Sequence, residues 1–322
     1  MESKIIEIMN EMAEYLSAEQ QKKLRQVLIA KLAENRQRSA PATNQDYKQL
    51  FLNAKKIEGC SERTILYYGT TLDHFFSVIE EPARKVSTEQ IRTYLADYQK
   101  INNCSNATVD NIRRNISSFF SWMEEEDHLL KSPMHRIHKI KTVKQVKEVI
   151  SDEVIEKLRD TCRCSRDLAI IDLLYSTGMR VGELVKLNRS DVNFEERECI
   201  VFGKGDKERR VYFDAKAKLH LKAYLKERTD DNPALFVTLD SPNNRLKISG
   251  VEIRLRELGR SIEVEKVHPH KFRRTMATRA IDKGMPIEQV QKILGHSQID
   301  TTMQYAIVNQ NNVKTAHRKF IA

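Results

Sequence analysis

Arg180 and Glu183 stand three residues apart in LLYSTGMRVGEL, a spacing that places both on one helix face. A carboxylate so placed can hold a guanidinium from behind while its fork points outward. Lys204 sits between Gly203 and Gly205 at the tip of ECIVFGKGDKERRVYFD, where small neighbours leave its stem free to swing toward an oxygen gaining charge. In VHPHKFRRTMATRAI, Pro269 fits the first position of a helix, and His270 and Arg273 then share a face near a helix N-terminus, which favours an anion. In MPIEQVQKILGHSQIDTTMQYAIV, a helix starting near Pro286 closes at Gly295, so His296 falls just past its end. A short helix beginning near Asp300 carries Tyr305.

Taken singly, each segment has an ordinary reading: a surface ion pair, a solvated turn lysine, a chance HxxR, a core tyrosine. Together they supply cations, proton donors and one phenol. That set suits transition-state charge on a phosphate without a metal ion, with two arginines holding nonbridging oxygens in bidentate geometry. The sequence contains no P-loop, GxSxG or HExxH motif and no carboxylate cluster suited to two metals. No cofactor and no metal site are expected.

The elements that must position these groups are bounded by composition. The chain has 322 residues, 40% of them hydrophobic, enough for roughly two domains with real cores. Gly and Pro are scarce at 10 and 7, which excludes collagen-like and low-complexity readings. The 55 Lys+Arg exceed the 45 Asp+Glu, a net charge of +10 that favours a nucleic-acid or other anionic partner. No run approaches the ~18 apolar residues of a membrane span, and the charged N-terminus lacks the form of a signal peptide. Five cysteines with no CxxC pair point to reduced thiols and a cytoplasmic location. A Cys162/Cys164 soft-metal site is disfavoured.

Residues 1–43 read as a helical extension, with a capping box at Ser17–Gln20 opening a second helix and a polar linker, RQRSAPAT, around Pro41. Residues 44–130 read as all-helical, with helices near 44–57, 62–79, 88–99 and 106–127, three of them capped by Ser61, Ser87 and Ser105. The last carries Val109, Ile112, Ile116, Phe119, Phe120 and Met123 as a core stripe. Arg113 and Arg114 on it are either groove contacts or ordinary surface charge. Residues 131–150 form a basic connector. Between Lys131 and Lys147 six Lys/Arg and two His stand without an acid, and Arg136, Lys139, Lys141, Lys144 and Lys147 are candidate phosphate contacts. Residues 151–322 read as a mixed domain with two β-strands around the Lys204 turn. The fold class expected is mainly α with a small β-sheet.

Arg180, Lys204, His270, Arg273, His296 and Tyr305 occur in the order and contexts of the tyrosine recombinases, the phage-integrase and Xer class. TGMRVGEL, GKGDKERRV, HPHKFRRT and LGHSQIDTTMQYA resemble that family's boxes. The resemblance covers roughly residues 44–322, with the first domain similar to the family's SAM-like core-binding domain and the second to its catalytic domain. Arg274 stands where many members have His.

The resemblance implies that the chain is a site-specific DNA recombinase. Tyr305 Oη attacks a scissile phosphate to form a 3′-phosphotyrosyl bond, so rejoining needs no high-energy cofactor. It also implies His270 as base, Lys204 as acid toward the 5′-oxygen, Arg180 and Arg273 as the phosphate clamp, His296 as a hydrogen-bond donor and Glu183 as the group orienting Arg180. The implied partners are double-stranded DNA bearing a recombination site, a homotetramer assembled on it, and accessory or directionality proteins, in the cytoplasm at the bacterial nucleoid. Integration or excision of a mobile element is the expected role, with Xer-type dimer resolution or DNA inversion as alternatives. A noncatalytic DNA-binding protein and a type IB topoisomerase are more distant readings.

Overall fold

Short hydroxyl side chains start the helices of the first half of the chain. Ser17 and Gln20 exchange backbone–side-chain bonds ahead of α1 (Ala18–Gln37). Thr43 forms a capping box with Asp46 at α2 (Asn44–Ile57), and Ser61 caps α3 (Glu62–Val78). Ser87 forms a capping box with Gln90 at α4 (Thr88–Asn102), and Ser105 caps α5 (Asn106–Glu125). Each cap satisfies an N–H that the first turn leaves without a helical partner. The computed structural model describes residues 8–37, 43–142, 148–203 and 208–305, with side chains in the first helix described to residue 28. The chain divides into two compact units, Met1–Gln145 and Val146–Ala322.

In the first unit the expected stripe of α5 is core. Val109, Ile112, Ile116, Phe119, Phe120 and Met123 are all buried, packed with Phe51 of α2, Leu72 and Phe75 of α3, and Ile91 and Tyr94 of α4. Phe51 meets Phe119 edge-on with ring centroids 5.5 Å apart. Burying each such side chain contributes roughly 1.5–3 kcal/mol. The same core takes in part of the basic run. Met134, in a 3₁₀ turn at Pro133–Arg136, is buried there, and Ile137 and Ile140 pack against it. The N–H of Ile140 donates to Asp110 at 3.0 Å, and the carbonyl of Lys141 accepts from Asn106 at 3.0 Å. The basic segment up to Lys141 is thus fastened to the helical unit.

The second unit is built around α7 (Ser165–Thr177), whose Ala169, Ile170, Ile171, Leu173 and Leu174 are buried, as befits a helix apolar on most sides. Around it lie α6 (Asp152–Thr161), α8 (Val181–Leu184), α9 (Ala215–Glu227), α10 (Ile248–Ser261), α11 (Pro269–Asp282), α12 (Ile287–Leu294) and α13 (Asp300–Met303). An antiparallel sheet runs in the order β1 (Val192–Asn193), β2 (Glu198–Phe202), β3 (Glu208–Tyr212). Cys199 pairs with Val211 and Val201 with Arg209, so these four residues share the inward face. The fold class is the one expected: mainly α with one small sheet among the described residues. Two buried carboxylates brace the helices. Asp167 binds Arg166 and Arg254, and Asp172 binds Arg159 and His220.

Candidate active site

The site begins where α7 ends. Gly178 closes the helix in the left-handed region, at φ 61°, and a Cβ there would lie 2.2 Å from the Met276 side chain. This turn aims the Gly178 carbonyl at Arg273 Nη1, 2.8 Å away. Arg273 sits in the first turns of α11, where Pro269 occupies the first position. It is only 3% exposed. Its Nη2 donates to the carbonyl of Leu294 at 2.5 Å, at the C-terminal end of α12. Last-turn carbonyls lack helical partners and carry the negative end of the dipole, so they suit a buried guanidinium.

Arg180 is the N-cap of α8 rather than a member of its first turn, with extended backbone at φ −76°, ψ 148°. Glu183 therefore binds it twice: one carboxylate oxygen accepts the Arg180 N–H at 2.7 Å, and the other accepts Nη1 at 3.1 Å. Arg180 keeps 38% of its side chain in solvent, while Glu183 is buried. Burial pushes the Glu183 carboxyl upward, but the hydrogen bonds from Arg209 and Arg180 outweigh it and hold the group below the usual carboxylate range.

Arg209 and Thr302 are the participants that sequence reading did not single out. From β3, Arg209 grips both Glu183 oxygens at 2.6 and 2.7 Å, and its Nε donates to the carbonyl of Ile293 at 2.9 Å. A signal for it was present: Arg209 lies two residues before Val211 on the buried face of a strand, where a charge requires a partner. Thr302 is fully buried, with its hydroxyl 2.8 Å from His296 Nδ1.

His296 follows Gly295, the left-handed C-cap of α12. Its Nε2 lies 3.0 Å from Arg273 Nη2. Burial, then the charges of Arg273, Arg180 and Arg209, lower its pKa to about 4, so the ring is neutral at pH 7. Tyr305 stacks on it at a centroid distance of 6.1 Å, and packs on the apolar cluster of Ala277, Val290 and Leu294. Tyr305 lies two residues past the end of α13 rather than on it, with its N–H bonded to the Thr302 carbonyl. His270, in the first turn of α11, is also shifted down, by desolvation and then by Arg273 and Arg180.

The fold thus gathers Arg180, Glu183, His270, Arg273, His296 and Tyr305 from three sequence segments. Two guanidinium groups bind one carboxylate and a third, Arg273, is held by carbonyls, which leaves an excess of positive charge beside a phenol. Such a setting is suited to a phosphate acquiring charge. Lys204 lies outside the described residues, as do Lys144 and Lys147. Among the described residues no group of three or more His, Cys, Asp or Glu is placed to hold a metal ion.

The candidate DNA contacts of the first unit divide by environment. Arg113 is mostly buried, donating to Asp110 at 2.8 Å. Arg114 is 63% exposed. Arg136, Lys139 and Lys141 are exposed.

Comparison with known proteins finds two family models along the chain. Residues 130–312 match the Phage integrase family, and residues 48–128 match the Phage integrase N-terminal SAM-like domain. A tyrosine recombinase XerC of Leptospira interrogans is 32% identical over 294 residues, covering 87% of this chain and 94% of that protein. A tyrosine recombinase XerC of Staphylococcus aureus is 29% identical over 283 residues, covering 84% and 94%. The fold is also similar to that of the Tn1549 transposon integrase in complex with a circular intermediate DNA, with a TM-score of 0.69 at 18% identity over 85% of this chain and 98% of that one.

Proposed function

This chain belongs to the phage integrase family and is a site-specific recombinase of the tyrosine type, and from that premise we propose that it cuts and rejoins double-stranded DNA through a 3′-phosphotyrosyl bond made by Tyr305. The observation that carries the assignment is the contact chain Arg273–His296–Tyr305: a buried guanidinium 3.0 Å from an imidazole on which the phenol stacks.

In this reading Arg180 and Arg273 bind the nonbridging oxygens of the scissile phosphate, and His296 donates a third hydrogen bond. His270, held neutral by its surroundings, takes the phenol proton as Tyr305 Oη bonds to phosphorus. The bond from phosphorus to the 5′-oxygen breaks, and Lys204 gives that oxygen a proton. The phosphodiester energy is kept in the covalent link, so the reverse attack by a 5′-hydroxyl reseals a strand. Exchange between two duplexes requires four such sites, which we assign to a tetramer on DNA acting at the nucleoid, with accessory proteins setting direction.

Tyr305→Phe tests the chemistry. With a nicked suicide duplex it should give no covalent protein–DNA adduct while retaining DNA binding; an undiminished adduct yield overturns the assignment of the nucleophile.

Two biological roles predict different outcomes. The relatives named XerC align along 94% of their own length, which supports a Xer-type role in resolving joined replicons. The helix α1, which lies ahead of the matched SAM-like region, supports the mobile-element role instead. Deleting the gene distinguishes them: a Xer role predicts chains of undivided cells, and the mobile-element role predicts loss of excision of a flanking segment.

A further inference from the structure

The His296 ring is held at both nitrogens, and the two contacts fix where its proton lies. A guanidinium has donors only. Nε2, 3.0 Å from Arg273 Nη2, must therefore accept, and the proton of the neutral ring sits on Nδ1, directed at the Thr302 hydroxyl 2.8 Å away. A phosphate diester offers that ring acceptors only. To serve it, Nε2 must carry the proton and Nδ1 must accept. The partner at Nδ1 then has to change from acceptor to donor without leaving its buried place. A hydroxyl does this by turning about its C–O bond, with no heavy atom moving.

We propose that Thr302 is a positioning residue that lets His296 exchange the tautomer imposed by Arg273 for the one a phosphate requires, by reversing its own hydrogen bond when a phosphate enters the pocket. One proton leaves Nδ1 and one arrives at Nε2 by exchange with solvent, so the ring stays neutral among its three arginine neighbours. Thr302 is on α13, and its carbonyl accepts the N–H of Tyr305 at 2.9 Å. The residue that readies the phosphate-binding ring is therefore bonded to the backbone of the nucleophile. A seated Tyr305 and a correctly held His296 come as one arrangement. The inference rests on the reading that this pocket receives a DNA phosphate.

Long-range ¹H–¹⁵N spectra of the full chain labelled in its histidines, titrated with dimethyl phosphate, a diester with acceptors only, at pH 7, test the proposal. His296→Gln identifies the relevant signals. The free protein should show His296 protonated at Nδ1, and phosphate should move the proton to Nε2. Thr302→Val, which keeps the shape and loses the hydroxyl, should keep the Nδ1 proton that Arg273 imposes in the free protein and lose the phosphate-driven change. Thr302→Ser should retain both states, which separates the hydroxyl from packing. In the suicide-duplex assay the Val variant should form adduct roughly fivefold more slowly, the scale of one net hydrogen bond, and the Ser variant near the native rate. An Nε2-protonated or doubly protonated ring in the free protein overturns the proposal, as does a full phosphate-driven tautomer change in Thr302→Val. A tautomer change with phosphate in a protein that never forms a DNA adduct would instead reject the recombination chemistry and leave the Thr302 device standing.

Discussion

Arg209 grips both oxygens of Glu183 across the interior of the second unit, at 2.6 and 2.7 Å, and so joins three structures at one guanidinium. The strand β3, the α8 cap that presents Arg180, and the end of α12 that precedes His296 all meet there. The pair also explains how a carboxylate can be buried among these arginines: Glu183 is shared by two of them, and its charge is spent on geometry.

Arg209→Ala should therefore leave Glu183 buried with Arg180 alone. Breaking a buried ion pair from one side costs about 3–5 kcal/mol, readable as a lower urea midpoint, and adduct formation should fall with it. Arg209→Lys keeps the charge but not the two-pronged fork, so it should recover part of the stability and less of the cleavage rate. Native stability and native cleavage in Arg209→Ala would remove the joint from the mechanism.

Gly178→Ala and Gly59→Ala make an informative pair. Both glycines have positive φ, 61° and 84°, and each substitution carries the strain of an L-residue there, of order 1 kcal/mol. At Gly59 the added carbon meets nothing within 4 Å, whereas at Gly178 it would lie 2.2 Å from Met276 Cε. Gly178→Ala should thus be the more destabilising in thermal unfolding. It should also slow adduct formation, because the carbonyl that holds Arg273 moves with the turn. Equal effects would show that Met276 yields freely.

Acidification should weaken the fold in a definite window. His296 has an ordinary value of 6.5 and a folded value of about 4. Between these, the unfolded chain binds more protons than the folded one, so stability falls as pH drops from 6.5 toward 4 and is fully present above 6.5. His268 and His270 are shifted in the same direction and add to the slope. Urea midpoints measured at pH 7.5 and 5 should differ accordingly, and His296→Gln should flatten the dependence. A midpoint that rises on acidification would contradict the neutral, buried ring.

In the first unit, Arg113 and Arg114 are adjacent in sequence but should behave differently. Arg113 supports Asp110, which also accepts the Ile140 N–H, so Arg113→Ala should lower stability. Arg114 is exposed. Arg114→Ala should leave the melting temperature within error and reduce the slope of log binding constant against log salt by about 1, if its charge meets a DNA phosphate. Filter-binding at several salt concentrations measures this, and an unchanged slope removes Arg114 from the interface.

Local rules alone specified a large part of this protein. The caps at Ser61, Ser87 and Ser105, the buried stripe from Val109 to Met123, the closure of α12 at Gly295 and the strands flanking Lys204 follow from propensity and periodicity, which act over a few residues. The candidate site residues Arg180, Glu183, His270, Arg273, His296 and Tyr305 stand out in the sequence because their spacing within each segment is local and their combination is unusual. Tertiary structure decided what they touch. Arg209 and Thr302 were hidden because their partners stand 26 and 6 residues away, across a turn or a strand that only packing closes. The fastening of the basic run near Ile140 to Asp110 was hidden for the same reason, at a separation of 30 residues. A hydrogen bond between distant positions leaves no period in the sequence; it exists once hydrophobic burial has brought the two backbones together, and the chemistry of the pocket is set at that point.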